Sequence, residues 1–404
     1  TLSLHDALPI STLQYAAAAT MAIEARTAAR LAELAAAGLA RRAPAISERS
    51  GMRYRLDGRE VVGLCSNDYL GFADALGPAP ASVSAGAGGS RLICGDLPVH
   101  REVERTLAAM CGSEDAVLFS SGFACNVGVL PAVVEADDTV VSDALNHASL
   151  IDGLRLSRAR VDVIPHAGTP ASTPYPAPPS VSWWVSESIF SMDGDRIDLA
   201  ALRAHHGRGG ASYVDEAHAF GLFDGGRGLL ASHDESATLT IGTLSKAAGV
   251  AGAFVASSAM VCRWLRSRAR SFVFSTGPSP TSTAQIGVAL DVLRSREGDL
   301  RRARLWSNAQ RLANLLGEDD PPSPIFPLLI GDNTVTLDLA TALLDLGWHV
   351  QPIRPPTVPH GTARLRITVS AAHEPAMIDA FVDDLRRALD RLQLPLRLDR
   401  GAAP

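Results

Sequence analysis

Two short apolar runs in the middle of the chain each close on residues able to do chemistry. Ala211-Ser212-Tyr213-Val214 leads into Asp215-Glu216-Ala217-His218, and Ala237-Thr238-Leu239-Thr240-Ile241 leads to Thr243-Leu244-Ser245-Lys246. Apolar runs of that length, bounded by turn formers, read as buried strands of a parallel sheet. In open α/β sheets the ligand lies at the carboxyl ends of such strands. An acid, an imidazole and an amine then meet at one edge: Asp215, His218 and Lys246. A lysine desolvated there gives up its proton and attacks a carbonyl. An aspartate one strand away can hold a protonated ring nitrogen. Each motif alone is more often a solvated loop lysine or a charged helix start, so the rest of the chain has to decide.

Several further stretches suit one flat, phosphorylated ligand. Phe119-Ser120-Ser121-Gly122-Phe123 passes from an apolar run to a helix start, where free backbone N–H groups and the positive dipole end favour a phosphate. An ordinary strand-to-helix turn is the plainer reading of that stretch. His147, in L-N-H-A-S-L, can stack on a heteroaromatic ring, although a lone histidine is more often a cap or surface residue. Ser191, in F-S-M-D-G-D, offers a hydroxyl to a phenolate-like oxygen beside the turn signal Asp193-Gly194. Thr243 lies three residues before Lys246, within reach of a phosphate. A nucleophilic lysine, an acid for a ring nitrogen and a phosphate turn are together what pyridoxal phosphate requires.

The elements that would position these residues can be read from composition and pattern. With 404 residues the chain should divide into two or three lobes. At 47% hydrophobic and 20% charged it reads as globular rather than disordered. The net charge of −6, from 37 basic and 43 acidic residues, argues against a nucleic-acid binder. Five cysteines without a C-x-x-C pair or metal-ligand spacing read as reduced thiols, and the expected location is the cytoplasm. No apolar run has the length to cross a membrane. The opening T-L-S-L-H-D-A-L-P-I does not read as a signal peptide. Residues 1–10 differ in character from the helix-forming stretch behind them and read as a candidate assembly artefact.

Residues 14–42, rich in Ala, Leu, Glu and Arg, read as a helix packed outside a larger body, and residues 53–64 as a hairpin around Asp57-Gly58. Seven strand candidates come next, at 116–119, 139–142, 160–164, 181–186, 211–215, 237–241 and 253–257, most of them separated by helical segments. That alternation predicts a mainly parallel seven-stranded sheet with helices on both faces. Residues 168–180 hold five prolines and read as a linker or surface loop. From 281 onward, helical stretches over 283–316, strands at 325–330, 348–354 and 363–369, and helices at 334–346 and up to 392 describe a smaller α+β domain. The expected partition is 1–52, 53–280 and 281–404.

In this order, S-N-D-Y-L-G at 66–71, G-G-S-R at 88–91, S-S-G-F at 120–123, L-N-H-A-S-L at 145–150, E-S-I-F-S-M-D-G-D at 187–195, D-E-A-H at 215–218 and T-L-S-K at 243–246 resemble the α-oxoamine synthases, fold-type I pyridoxal phosphate enzymes. The likeness spans about residues 20–390. It implies that Lys246 carries the cofactor and later moves protons, that Asp215 holds the pyridine nitrogen, and that His218 and Ser191 hold the phenolic oxygen. It implies that His147 stacks on the ring and that Gly122, Phe123 and Thr243 bind the phosphate. Ser275 and Thr276 match a segment that reaches the phosphate from the other subunit of a homodimer. Asn67 falls beside the substrate, Arg354 with Thr357 is the expected carboxylate site with Arg364 competing, and Arg41 or Arg42 meets the far end of an acyl chain.

The stretches I-R-P-P-T-V-P-H-G-T-A-R-L-R (353–366), S-A-A-H-E (370–374) and G-D-N (331–333) are most similar to the branch that condenses L-alanine with a pimeloyl thioester, on CoA or acyl carrier protein, in biotin biosynthesis. Sister enzymes that join glycine to acetyl-CoA or serine to a long acyl-CoA are the alternative. A non-catalytic binding protein of the same fold ranks last. The chain departs from the family pattern in shorter segments at 72–87 and 168–180.

Overall fold

The computed structural model describes residues 9–78, 83–170 and 180–398. The chain opens with α1 (Pro9–Ala36). Gly38, at φ +65°, stops this helix six residues short of the expected end. From residue 19 to 36 its side chains are exposed, Met21 by 69% and Leu31 by 61%, so it stands off the body instead of packing on it. Then β1 (Ile46–Ser50), β2 (Arg53–Leu56) and β3 (Arg59–Gly63) form an antiparallel meander. Asp57 and Gly58 both take positive φ between β2 and β3, the turn whose twist matches the flanking strands.

The large domain continues with α2 (Pro98–Cys111), β4 (Asp115–Phe119), α3 (Gly122–Val133), β5 (Thr139–Asp143), α4 (Ala148–Ser157), β6 (Arg160–Ile164) and β7 (Ser182–Glu187). Next come α5 (Leu199–Gly207), β8 (Ala211–Asp215), α6 (Leu229–Ser232), β9 (Leu239–Thr243) and β10 (Ala253–Ser257). Its seven strands lie in the order β4-β10-β9-β8-β7-β5-β6, with β10 antiparallel to both neighbours and the remaining pairs parallel. Val140, Tyr213 and Val255 join one apolar cluster while their neighbours Val141, Val214 and Phe254 join another. A sheet covered on both faces has this alternation. The carboxyl ends of β5, β7, β8 and β9 therefore open on one edge, where Asp143, Glu187, Asp215 and Thr243 stand.

After α7 (Ala259–Arg268) and α8 (Arg270–Val273) come α9 (Pro280–Leu293) and α10 (Arg296–Leu316). The last part comprises β11 (Ile325–Gly331), α11 (Asn333–Asp345), β12 (Trp348–His349), β13 (Gln351–Ile353), β14 (Ala363–Thr368) and α12 (Pro375–Leu392). The expected strand over 348–354 is two pieces: β12 pairs parallel with β3, while β13 joins the sheet β11-β14-β13. One apolar run here serves two sheets. The β3–β12 pairing ties the 53–63 hairpin, grouped by sequence with the large domain, to the C-terminal part. Residues 171–179, most of the proline-rich segment, lie outside the described residues, as do 79–82 of the shortened 72–87 stretch and 1–8 of the atypical N-terminus.

Candidate active site

Lys246 comes just after the end of β9, and its Nζ lies 2.7 Å from His218 Nε2. Burial pushes the lysine pKa down to about 8; the Asp215 and Glu187 carboxylates oppose this and the Arg366 charge adds to it. His218 is pushed well below the usual histidine range by burial, then by the charges of Lys246, Arg366 and His147. A neutral imidazole carries one ring proton. With the lysine ammonium donating to Nε2, Nδ1 donates to the Tyr69 oxygen 2.7 Å away, and the Tyr69 hydroxyl donates to Asn67 Oδ1 at 3.3 Å. Arg366 donates to Asn67 Oδ1 at 3.0 Å and to the Tyr69 oxygen at 3.4 Å, and its Nε donates to the Ser191 carbonyl. Lys246, His218, Ser191 and Asn67 thus share one network.

Asp215 closes β8 with both carboxylate oxygens engaged. Asn126 Nδ2 donates to Oδ2 at 2.9 Å, and the Ala217 N–H donates to Oδ1 at 2.8 Å. Asn126 is held in turn by the Tyr213 hydroxyl at 2.8 Å and donates to Ser149 Oγ at 2.9 Å. An acid fixed by donors from behind keeps its position and its acceptor character. His147 is the exposed N-cap of α4, with Nδ1 2.8 Å from Ser149 Oγ. Its backbone N–H donates to Glu187 Oε1 at 2.7 Å. Burial, reinforced by Asp215, pushes Glu187 up to about 8.

The residues expected at a phosphate lie where α3 begins. Ser121 caps this helix, accepting the Ala124 N–H at 3.1 Å. A Cβ built on Gly122 would stand at an ordinary contact distance of 3.8 Å from the Thr243 Cβ, which sets the α3 start directly beside the β9 end. Phe123 is 49% exposed beside it. Thr243 Oγ1 sits 2.8 Å from Ser245 Oγ. Ser275 and Thr276 are exposed, on a segment that bridges to Ser90.

The arginines sort differently from the sequence expectation. Arg354 donates to the Gly38 carbonyl and lines a cavity of about 280 Å³ with Arg41, Arg42 and Thr357; Arg41 donates to Thr357 Oγ1 at 3.2 Å. Partial burial, then the Arg41 charge, lower the Arg354 pKa. Two crowded guanidiniums favour an anion in that cavity. Arg364 is buried and ion-paired with Asp193. Arg366, which sequence reasoning passed over, is the guanidinium hydrogen-bonded beside Lys246's network. Glu187, Asn126 and Tyr69 were also missed, although Glu187 and Tyr69 lie inside the E-S-I-F and S-N-D-Y motifs.

The residues fit pyridoxal phosphate: a desolvated lysine, a fixed acid on the next strand, an exposed imidazole face, and a helix start facing a threonine hydroxyl. Comparison with known proteins agrees. Residues 59–385 match the aminotransferase class I and II family. An 8-amino-7-oxononanoate synthase of Bordetella petrii is 42% identical over 382 residues, 89% of this chain and 96% of the relative. One from Anaeromyxobacter sp. strain K is 43% identical over 385 residues, 90% of this chain and 95% of the relative. Among solved structures, a serine palmitoyltransferase of Sphingomonas wittichii superposes with a TM-score of 0.81 at 27% identity, covering 91% of this chain and 98% of that one. A serine palmitoyltransferase solved with pyridoxal phosphate superposes with a TM-score of 0.80 at 27% identity, covering 87% of this chain and 94% of that one. The 8-amino-7-oxononanoate synthase of Francisella tularensis shares the fold, with a TM-score of 0.68 at 23% identity and coverage of 83% and 99%. The chain belongs to the aminotransferase class I and II family, as a pyridoxal phosphate-dependent member of the 8-amino-7-oxononanoate synthases.

Proposed function

We propose that the protein condenses L-alanine with a pimeloyl thioester, carried on CoA or acyl carrier protein, with loss of CO2 and release of the thiol. The observation that carries this reading is the network joining Lys246 to Arg366 through His218, Tyr69 and Asn67. It sets a proton-transfer group and a carboxylate-binding group at one edge. Pyridoxal phosphate, bound by Lys246, Asp215, His147, Ser191, His218, Gly122, Phe123 and Thr243, would supply the electron sink for the α-carbanion.

Arg366 takes the amino-acid carboxylate as a bidentate partner. This replaces the assignment of Arg354 or Arg364. Lys246 Nζ removes the α-proton and later returns one. As the alanine α-carbon bonds to the thioester carbonyl, the thiolate would leave and take a proton from solvent; the carboxylate would then depart as CO2, its place on the α-carbon filled by the proton that Lys246 returns. Asn67 and Tyr69 orient Arg366. The cavity of Arg41, Arg354 and Thr357 receives the free carboxylate at the far end of the pimeloyl chain, its two guanidiniums favouring that anion.

The active unit is a homodimer. Leu92, Ile93, Phe123 and Phe274 are exposed by 53, 83, 49 and 73%, and they lie within three residues of Ser90, Gly122 or Thr276. Apolar exposure of that kind marks an interface, and Ser275 and Thr276 would reach the partner's phosphate from it. Five free cysteines accord with a reducing cytoplasm; among the described residues no helix is long and apolar enough to cross a membrane.

Absorption spectroscopy tests the reading. Holoenzyme should be yellow, with a band that shifts on adding L-alanine and not on adding D-lactate. Lys246→Ala protein should lack that response. A wild-type spectrum indifferent to L-alanine would end the proposal.

A further inference from the structure

A buried ionic chain lies behind the site. His166 stands just after β6 with its side chain 9% exposed, between Asp143 at the end of β5 and Asp195. Its Nδ1 is 3.0 Å from Asp143 Oδ1, and its Nε2 is 3.1 Å from Asp195 Oδ2. The ring meets Phe190 edge-on, with centroids 4.5 Å apart. Nδ1 donates to Asp143, while Nε2 faces the Asp195 carboxylate at 3.1 Å without hydrogen-bond geometry; a ring set between two carboxylates is favoured in its doubly protonated, imidazolium form. Asp193 also offers an oxygen within 4.8 Å of the His166 and Asp195 ligand atoms, and it is in turn ion-paired with Arg364 on β14. Two cations therefore stand against three carboxylates.

This chain grips a turn that the reaction uses. The Phe190 N–H donates to the Asp195 carbonyl at 3.0 Å, and the Gly194 N–H donates to the Phe190 carbonyl at 2.9 Å. Ser191 lies inside that turn, and its carbonyl accepts the Arg366 guanidinium. His166 holds the turn from the β5 side and Arg364 from the β14 side.

We propose that His166 is a positioning residue: as an imidazolium bridging Asp143 and Asp195, it fixes the 190–195 turn and so sets Ser191 and Arg366 for the amino acid. The kinetic side of this rests on the reading of Arg366 as the carboxylate partner. Burial alone would lower the His166 pKa, but the Asp143 hydrogen bond and the facing Asp143 and Asp195 charges overcome it and raise the value to about 9. A raised folded-state pKa contributes stability that is fully present below the unfolded value and is lost as pH rises through about 9.

The test uses His166→Gln and Asp195→Asn holoenzymes with histidine-labelled protein. In wild type, the imidazole resonance missing from His166→Gln should show a doubly protonated ring at neutral pH that titrates near 9. His166→Gln should raise the KM for L-alanine about tenfold while kcat changes less, the loss of a charged hydrogen-bonded anchor. Its melting-temperature deficit should shrink above the titration. Asp195→Asn should lower that titration and raise the same KM, and it carries the kinetic test if His166→Gln fails to fold. A neutral His166 ring at neutral pH, an unchanged KM for L-alanine in the folded variant, or a pH-independent melting deficit would each overturn the proposal. If wild type does not respond to L-alanine, the reading of the reaction fails, while the resonance and the melting deficit still report on the clamp.

Discussion

Lys246 sits where desolvation and charge pull against each other, and desolvation prevails, leaving a pKa of about 8. Apo-protein should therefore capture pyridoxal phosphate at a rate that rises through about pH 8, as the neutral amine forms, measured by the growth of the absorption band. A limb near the ordinary lysine value would contradict that balance. At β14 the side chains alternate, so Arg364 and Arg366 share a face while Leu365 and Ile367 enter the core. Sequence spacing shows that alternation but not which guanidinium reaches the substrate; only the β14 register against β11 and β13 decides it. Arg366→Leu should raise the KM for L-alanine by about a hundredfold with the thioester KM little changed. Arg364→Leu should cost about 3–5 kcal/mol in stability, because it removes one partner of a buried ion pair, and should raise the KM for L-alanine less than Arg366→Leu does, through the loosened 190–195 turn; thermal melts and kinetics separate the two. Asp215, His218 and Lys246 were legible because their places at strand ends agree with a set of further motifs in one order along the chain. Glu187 and Asn126 were not, since their roles depend on strands remote in sequence.

Among the elements, the seven large-domain strands were readable because each is an apolar run bounded by turn formers and buried between covering layers. The run at 348–354 was misread as one strand, since continuity of hydrophobicity does not report a change of partner sheet. The helix over 14–36 was readable from propensity, but its exposure was not, because an amphipathic stretch does not say what covers it. One short element decides how Lys246 is presented: the turn in which the Gly249 N–H donates to the Lys246 carbonyl at 3.0 Å. Gly249 has φ +68°, and a Cβ there would lie 2.8 Å from the Ala73 nitrogen. Gly249→Ala should cost about 1–3 kcal/mol in denaturant unfolding and weaken cofactor retention. An unchanged midpoint would show that the 72–73 backbone yields freely.

For the molecule as a whole, Ile93, Phe123 and Phe274 are exposed, as is α1 from residue 19 onward, and the proposed homodimer would draw on that surface. If Ser275 and Thr276 serve the partner's site, Lys246→Ala and Ser275→Ala/Thr276→Val proteins, each impaired alone, should complement after mixed refolding. Heterodimers would hold one intact site, giving about a quarter of wild-type activity per protomer in an equimolar mixture. Additive residual activities would place each site within one chain.

The central claim is that this edge joins L-alanine to a pimeloyl thioester with loss of the amino-acid carboxylate. Carboxyl-labelled L-alanine measures it directly. With pimeloyl-CoA, wild-type holoenzyme should release labelled CO2 and free thiol in equal amounts, and Arg366→Leu should lose most of both. Glycine with acetyl-CoA should give far less. Preferential release from glycine and acetyl-CoA, or thiol release without CO2, would contradict the account.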